Sequence, residues 1–438
     1  MKIIFLHRNF PAQFRHLAVA LAADPKNQVV FLTNSKDGQI AGVDKYLYKV
    51  TRDVSPKTHR YVRQLESAVC DGQAAWRTAR QLKQGGFEPD VIYAHIGWGP
   101  GLFLRDLFPD TPYLGFFEWY YHAYGTDANY DPNDPIDEDS AARIRIKNAS
   151  ILLELAHCHG GVVPTHWQHQ QFPTEFKQKL RVLHDGIDTQ FFQPQPDTPL
   201  VFGSMTAEQI DRALGIQDKT SKLTPTQKIQ REFWLKGLDL SNKLEIVTYV
   251  SRGMEPYRGF PQFMNAVSLL QKERSQCQVV VVGEDRVAYG KRLADGRTYR
   301  EKALADLELD HSRLHFTGRL SYEQLRMVYQ ASSVHIYLTY PFVLSWSMLE
   351  AMACGCVIVG SRTPPLEEVI TDGENGFLVD FFDSAALANQ VSDVLEHQDD
   401  PQILAIRKQA RETILERYDL SKLLPQHLDW LKSWSEQS

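Results

Sequence analysis

The stretch of this chain richest in chemistry runs from Tyr340 to Gly355 and reads YPFVLSWSMLEAMACG. An apolar run from Val334 feeds a loop and then a helix carrying a single acid, Glu350, among apolar and small residues. A helix that opens at the carboxyl end of a strand offers unpaired backbone N–H groups and the positive end of its dipole, which suits an anion. The donors in this reading are the amides around Leu344, Ser345 and Trp346. Glu350, one or two turns further in, is placed to accept hydrogen bonds from a ribose or sugar hydroxyl.

A second concentration is YVSRGMEPYRGF, residues 249–260, where a strand ends at Ser251 and a helix starts near Phe260. Arg252 and Arg258 lie in the connecting loop, and guanidinium forks pair bidentately with the oxygens of a diphosphate. Gly318 ends the run from Leu314 and permits close approach to the backbone, with Arg319 beside it. In the first half of the chain His95 closes one apolar run, and Glu118 and His122 follow the next. Glu118 stands next to four aromatics, Phe116, Phe117, Trp119 and Tyr120, and burial there would raise its pKa.

These motifs resemble the retaining, GT-B-fold glycosyltransferases of family 4, whose signature is Glu, seven residues, Glu, then Ala-Met-Ala-x-Gly. Glu350 matches the second acid, which in the family holds the nucleotide ribose; the first, which touches the transferred sugar, falls at Phe342. The family's Gly-Arg…Lys-Gly is matched by Arg252 and Arg258, with Arg258 in place of the Lys. Its crossover motif is matched by HDGIDTQFFQP, residues 184–194, and its turn beside the nucleobase by Gly318. The resemblance implies transfer of a sugar from a UDP- or GDP-sugar donor to a saccharide or lipid-linked acceptor, with retention of configuration. It implies no metal and no cofactor beyond the donor. Glu118 falls where many relatives place a His against the transferring sugar, with His95 and His122 as further candidates for catalysis. The Gly-Gly pair that many relatives carry after the first strand is replaced here by His7–Gln13.

Stepping out to the elements that hold these residues, apolar runs alternate with helical patterns along the whole chain, the grammar of parallel α/β domains. Strands are expected at 3–7, 29–33, 91–95, 113–117 and 161–164, then at 246–251, 279–283, 314–318, 334–338 and 357–361. The expected fold class is α/β: two doubly wound Rossmann-like domains facing a central cleft. Their expected ranges are 1–190 on the acceptor side and 191–415 on the donor side, the second with a polar insertion at about 197–240. A C-terminal amphipathic helix is expected from Pro401 to Trp434, and the resemblance implies that residues 416–438 pack back on the first domain.

Composition narrows the alternatives. The 438 residues carry a net charge of −6, which does not favour nucleic acid as a partner. The apolar start of the chain, Ile3–Leu6, is too short for a secretory signal and reads as a first buried strand, and five cysteines without zinc-type spacing fit a reducing cytoplasm. Cys354 and Cys356 read as small buried residues around a helix-end glycine. The first strand is not followed by Gly-x-Gly-x-x-Gly, which argues against a nicotinamide or flavin site. GWGPG, residues 97–101, reads as a turn with an aromatic on the acceptor side, and the Asp-x-Asp at Asp137 and Asp139 as an exposed loop. Peripheral contact with the inner membrane surface is a further expectation, through the Lys-bearing segment at 219–236 and through Arg8, Phe14, Arg15 and His16. Two alternatives to a transferase remain open at this point: a GT-B-type nucleotide-sugar epimerase and a non-catalytic nucleotide-sugar-binding protein.

Overall fold

The computed structural model describes residues 1–195, 198–216, 222–243 and 245–436. Lys219 of the Lys-bearing segment lies outside the described residues. The chain divides into two compact units: Met1–Gly186 with the chain from Leu420 onward, and Ile187–Asp419.

The first unit is built on seven strands: β1 (Lys2–Leu6), β2 (Gln28–Thr33), β3 (Val43–Leu47), β4 (Val91–His95), β5 (Tyr113–Phe116), β6 (Gly160–Val163) and β7 (Leu180–Val182). They form one parallel sheet in the order β3-β2-β1-β4-β5-β6-β7. Alternate residues of each strand serve opposite faces, so Ile3 and Phe5 pack into one core cluster while Ile4 and Leu6 pack into the other. The helix Arg63–Gln84 supplies Ala74, Ala75 and Ala79 to the Ile4 face. The helix Leu420–Ser435 supplies Leu423 and Leu431 to the Ile3 face, with the Trp430 ring 5.5 Å from that of Tyr93.

The second unit holds two further sheets. A two-stranded antiparallel pair, β8 (Val201–Phe202) and β9 (Leu238–Asp239), brackets the helix Pro225–Lys236. That helix opens with a capping box between Thr224 and Gln227 and has Pro225 in its first turn, which explains why so polar a segment is helical. The main sheet contains β10 (Ile246–Gly253), β11 (Gln278–Glu284), β12 (Leu314–Gly318), β13 (Val334–Tyr337), β14 (Val357–Ser361) and β15 (Phe377–Val379). All its strands are parallel, in the order β12-β11-β10-β13-β14-β15.

The single helix expected over 401–434 is instead two, Pro401–Arg417 and Leu420–Ser435. Asp419 leaves the helical path to form a β-bridge with Ile187, whose N–H donates to the Tyr418 carbonyl at 2.7 Å. Tertiary pairing of two residues distant in sequence overrides helical periodicity there. Among the described residues no helix is long and apolar enough to cross a membrane.

One buried polar pair in the first unit has a consequence for stability. The Tyr113 hydroxyl donates to Glu154 Oε2 at 2.5 Å beneath the sheet. Burial pushes Glu154 from its ordinary 4.5 up to about 7, against the downward pull of that hydrogen bond. A carboxyl whose folded pKa exceeds its unfolded one binds protons more tightly when folded, so it costs stability as pH rises from about 4.5 to 7. Glu154→Gln keeps an acceptor for Tyr113 and removes the charge. Urea unfolding should show the variant gaining on the wild type by on the order of 3 kcal/mol between about pH 4 and pH 8. Parallel stability profiles would show that Glu154 does not titrate in this range.

Candidate active site

In an open parallel sheet the order of strands reverses at one point, and the crevice there, outside the carboxyl ends, is where ligands bind. In the second unit that point lies between β10 and β13. Arg252 belongs to the carboxyl end of β10 and is exposed. The loop after β13 leads through Tyr340–Ser345 into the helix Trp346–Ala353. Ser345 caps that helix, its hydroxyl accepting from Ser347 N at 3.4 Å, and its own N–H donates to the Tyr337 hydroxyl at 2.8 Å. Leu344, Ser345 and Trp346 are all half-buried at this mouth. Glu350 is buried on the same helix, where the Tyr329 hydroxyl donates to its Oε2 at 3.3 Å.

Arg258 departs from the expectation of a second open cation. It is only 6% exposed, and its Nη1 donates to Tyr337 Oη at 3.0 Å, Thr339 Oγ1 at 2.7 Å and the Val343 carbonyl at 3.0 Å. The Tyr289 ring covers it, with its centroid 5.6 Å from the guanidinium carbon. Arg258 therefore shapes the loop that leads into the capped helix, and Arg252 is the arginine that faces solvent.

Phe342, at the place of the family's first acid, is 6% exposed and stands edge-on to Tyr257 and Tyr289, at 5.6 and 5.2 Å between centroids. No carboxylate occupies that spot; an aromatic cluster does. Glu255, which the sequence reading passed over, is fully buried, and its Oε2 accepts from the Ala288 N–H. Burial raises its pKa, partly offset by that bond. It ties the Arg252 loop to the loop after β11, and its sequence signal was an acid-proline pair lodged between two arginines.

Gly318 has φ +69°, and a Cβ there would stand 2.2 Å from Gln230 Cγ. The space beside this glycine is thus filled by the helix Pro225–Lys236, whose Gln230 Nε2 also donates to the Arg319 carbonyl at 3.1 Å. Arg319 itself points outward, 4.0 Å from Glu284. Nothing in the sequence marked Gln230, because the pairing spans 89 residues.

In the first unit the strand order reverses between β1 and β4. His7 follows β1 and His95 ends β4; both are buried, with ring centroids 4.3 Å apart. Glu118, after β5, lies 3.6 Å from His95 Nε2 and accepts from Gln13 Nε2 at 3.1 Å, with a third of its side chain exposed. The structure therefore brings His95 and Glu118 together and adds His7, the first polar residue after the apolar run of β1, and Gln13 from the segment that follows. His122 is not part of this group: its Nε2 faces the Gln171 carbonyl at 2.8 Å. In the Asp-x-Asp, Asp137 caps the helix Glu138–Lys147 by accepting from Ser140 N, and Asp139 pairs with Arg60. The five cysteines are free, and burial pushes Cys356 up to about 12, which makes it a poor nucleophile.

Comparison with known proteins follows the same division. The family model described as Glycosyl transferase family 4 group matches residues 25–192, and that described as Glycosyl transferases group 1 matches residues 230–413. The chain is 28% identical to D-inositol 3-phosphate glycosyltransferase of Corynebacterium efficiens, over 72% of this chain and 65% of that protein. It is 29% identical to an uncharacterized glycosyltransferase of Methanocaldococcus jannaschii, over 43% and 41%. The matches thus span less than two thirds of the length of these relatives. Among solved structures, sucrose-phosphate synthase of Thermosynechococcus elongatus aligns with a TM-score of 0.70 at 17% identity, covering 100% of both chains. Anabaena HepE in complex with UDP-glucose aligns with a TM-score of 0.64 at 16% identity, covering 99% of this chain and 100% of that one. At such identities the likeness is one of fold, and the fold is GT-B.

The contrast between the two arginines is testable. Arg258→Met leaves the Tyr337 hydroxyl, Thr339 and the Val343 carbonyl without their donor and should cost roughly 3 kcal/mol or more in urea unfolding. Arg252→Met should stay within about 0.5 kcal/mol of wild type, as exposed substitutions do. Equal costs would show that Arg258 does not hold the loop.

Proposed function

We propose, from the premise that this chain belongs to the family 4, group 1 glycosyltransferases, that it moves a sugar from a nucleotide diphosphate donor to an acceptor hydroxyl with retention of configuration. The observation that carries the donor side is the switch point between β10 and β13, flanked by an exposed arginine and a capped helix with a buried acid. In this reading Arg252 and the amides of Leu344 and Trp346 take the diphosphate, the Ser345 and Ser347 amides being engaged by Tyr337 and by the Ser345 cap, and Glu350 takes the ribose. As the bond from the anomeric carbon to the diphosphate breaks, negative charge grows on the leaving oxygen. Fixed donors aimed there lower the barrier without needing to reorganise. The complex of Anabaena HepE with UDP-glucose supports a nucleotide-sugar donor, and the proposal takes UDP- or GDP-sugars as its first candidates. The acceptor, a saccharide or a lipid-linked one, is assigned to the His95–Glu118 group of the first unit. There the Glu118 carboxylate is held by Gln13 with one side exposed, suited to accept a hydrogen bond from the attacking hydroxyl.

A thermal-shift screen of the purified chain against UDP-, GDP-, ADP-, CMP- and dTDP-sugars tests this. A ligand present at about 100 times its Kd stabilises the folded state by about 2.7 kcal/mol, a shift of a few degrees. At least one nucleotide sugar should produce that shift, and Glu350→Ala should lose it. Arg252→Ala should weaken UDP about tenfold while leaving uridine unchanged, since it removes a phosphate contact. No shift with any nucleotide sugar would overturn the donor reading.

A further inference from the structure

Arg8 and Trp98 stand at the switch point of the first unit, following β1 and β4 respectively. Arg8 is held more firmly than an exposed arginine needs to be. Its carbonyl accepts from the buried Thr33 hydroxyl at 2.9 Å, its Nε lies 3.6 Å from Asp71, and its guanidinium carbon is 5.5 Å from the centre of the Trp98 ring. Its side chain is 36% exposed, whereas that of Asp71 is 2% exposed. The terminal nitrogens of Arg8 carry no hydrogen bond to a described residue.

The backing group is expensive. Asp71 sits on the helix Arg63–Gln84, where burial raises its pKa and the charge of Arg8 lowers it again. A buried acid next to one cation does little for stability by itself, and replacing such a pair by apolar residues is often neutral. What the pair does is place the guanidinium, its Nε at ion-pair distance from Asp71 and its terminal nitrogens without a hydrogen bond to a described residue. The shelf beside it is equally fixed. Gly97 and Gly99 have φ of +110° and +92°, and a Cβ on Gly99 would stand 2.3 Å from the Ala68 carbonyl of the same helix. A Cβ on Gly72, next to Asp71, would stand 2.6 Å from the Gly99 carbonyl. Glycines at both faces of this contact bring the Trp98 turn against the turn of helix that carries Asp71. Trp98 keeps 42% of its surface exposed.

We infer that this edge is the acceptor's anion subsite: Arg8, braced by Asp71, takes a phosphate or carboxylate borne by the acceptor, and the Trp98 ring carries the apolar face of its carbon skeleton. A guanidinium fork matches the oxygens of such a group, and an exposed indole suits the C–H face of a sugar or polyol. The neighbouring chemistry sets the polarity of binding. The Glu118 carboxylate near His95 repels an anion and attracts a hydroxyl, so the charged end goes to Arg8 and the reacting hydroxyl to Glu118. This inference rests on the reading of the chain as a transferase with its acceptor at the first unit, and it narrows the acceptor to an anionic one.

The test follows the indole N–H resonances of the full chain, with that of Trp98 identified by its absence in Trp98→Phe. Glucose 6-phosphate and inorganic phosphate are titrated to roughly 20 mM, enough to saturate a millimolar site, with glucose as the neutral probe. Both phosphate probes should move the Trp98 resonance and glucose should not. Arg8→Gln should weaken glucose 6-phosphate about tenfold or more, with Arg8→Lys in between. The other indole resonances of the first unit, such as that of the buried Trp119, should keep their positions in both variants, which shows that unit folded, and UDP binding at the second unit should be unchanged. Glucose acting as strongly as its phosphate, an unaltered affinity in Arg8→Gln, or no movement at Trp98 with either phosphate would each overturn the inference. Loss of UDP binding in the wild type would instead strike the donor reading. Vesicles of phosphatidylcholine with phosphatidic acid separate two sources of the anion: displacement of glucose 6-phosphate assigns it to a lipid headgroup, and no displacement to a soluble acceptor.

Discussion

A strand buried on both faces admits a polar side chain before its end only where another buried polar group meets it, as Thr248 and His335 meet at 2.8 Å, and this constraint governs both units. Ile3–Leu6 and Val279–Val281 contribute apolar side chains alone, almost entirely removed from water. The first polar groups able to meet a ligand appear where each strand gives out: His7 after β1, His95 at the end of β4, Arg252 on β10 and Asp285 after β11. Because all strands of a sheet are parallel, these ends lie on one edge, and the reversal of strand order opens a crevice there. The site in each unit thus follows from the topology, and the side chains at the two central strands decide what it holds.

The same constraint explains what could be read from the sequence. Strands β4, β12 and β14 have the bounds expected from their apolar runs, because a strand covered on both sides writes its limits as a change of polarity. Edge strand β3, with Asp44, Lys45 and a mostly exposed surface, carries no such signature and was not anticipated. Nor was the break at Tyr418–Asp419, which depends on pairing with Ile187 across more than half the chain. At the candidate site the polar residues were legible as residues and not as roles. Arg252 and Arg258 are two cations six positions apart in one loop, and nothing local says that one faces water while the other donates to three internal acceptors. Gln230 against Gly318 was beyond reach for the same reason. Sequence reports chemistry along a chain, whereas exposure is decided by what packs on top.

Arginine is used in two ways here. In the second unit Arg258 is spent on the protein: its donors fix the loop at Thr339 and Val343, and with it the position of the Ser345 cap. In the first unit the protein is spent on Arg8: Thr33 holds its backbone carbonyl, and the buried Asp71 stands 3.6 Å from its Nε while 36% of its side chain stays exposed. A flexible side chain loses roughly 2 kcal/mol of rotamer freedom when fixed. For Arg258 that cost is recovered inside the fold through satisfied hydrogen bonds. For Arg8 the fold recovers little of it, and Asp71 adds a desolvation cost of its own.

That imbalance separates a structural arginine from a binding one. A group ordered before its ligand arrives does not charge the ordering to the binding step, so preorganisation is worth its cost only where something binds. Arg252, exposed and unbraced, would pay on binding; it sits beside a capped helix whose backbone donors are already fixed and cannot turn away. In the first unit no helix terminus of comparable build stands at the β1–β4 edge among the described residues, since Ala12–Phe14 and Arg15–Ala22 begin without a side-chain cap. There the fixed donor has to be a side chain, and a side chain stays fixed only if something buried holds it. Asp71 beneath Arg8 supplies that hold.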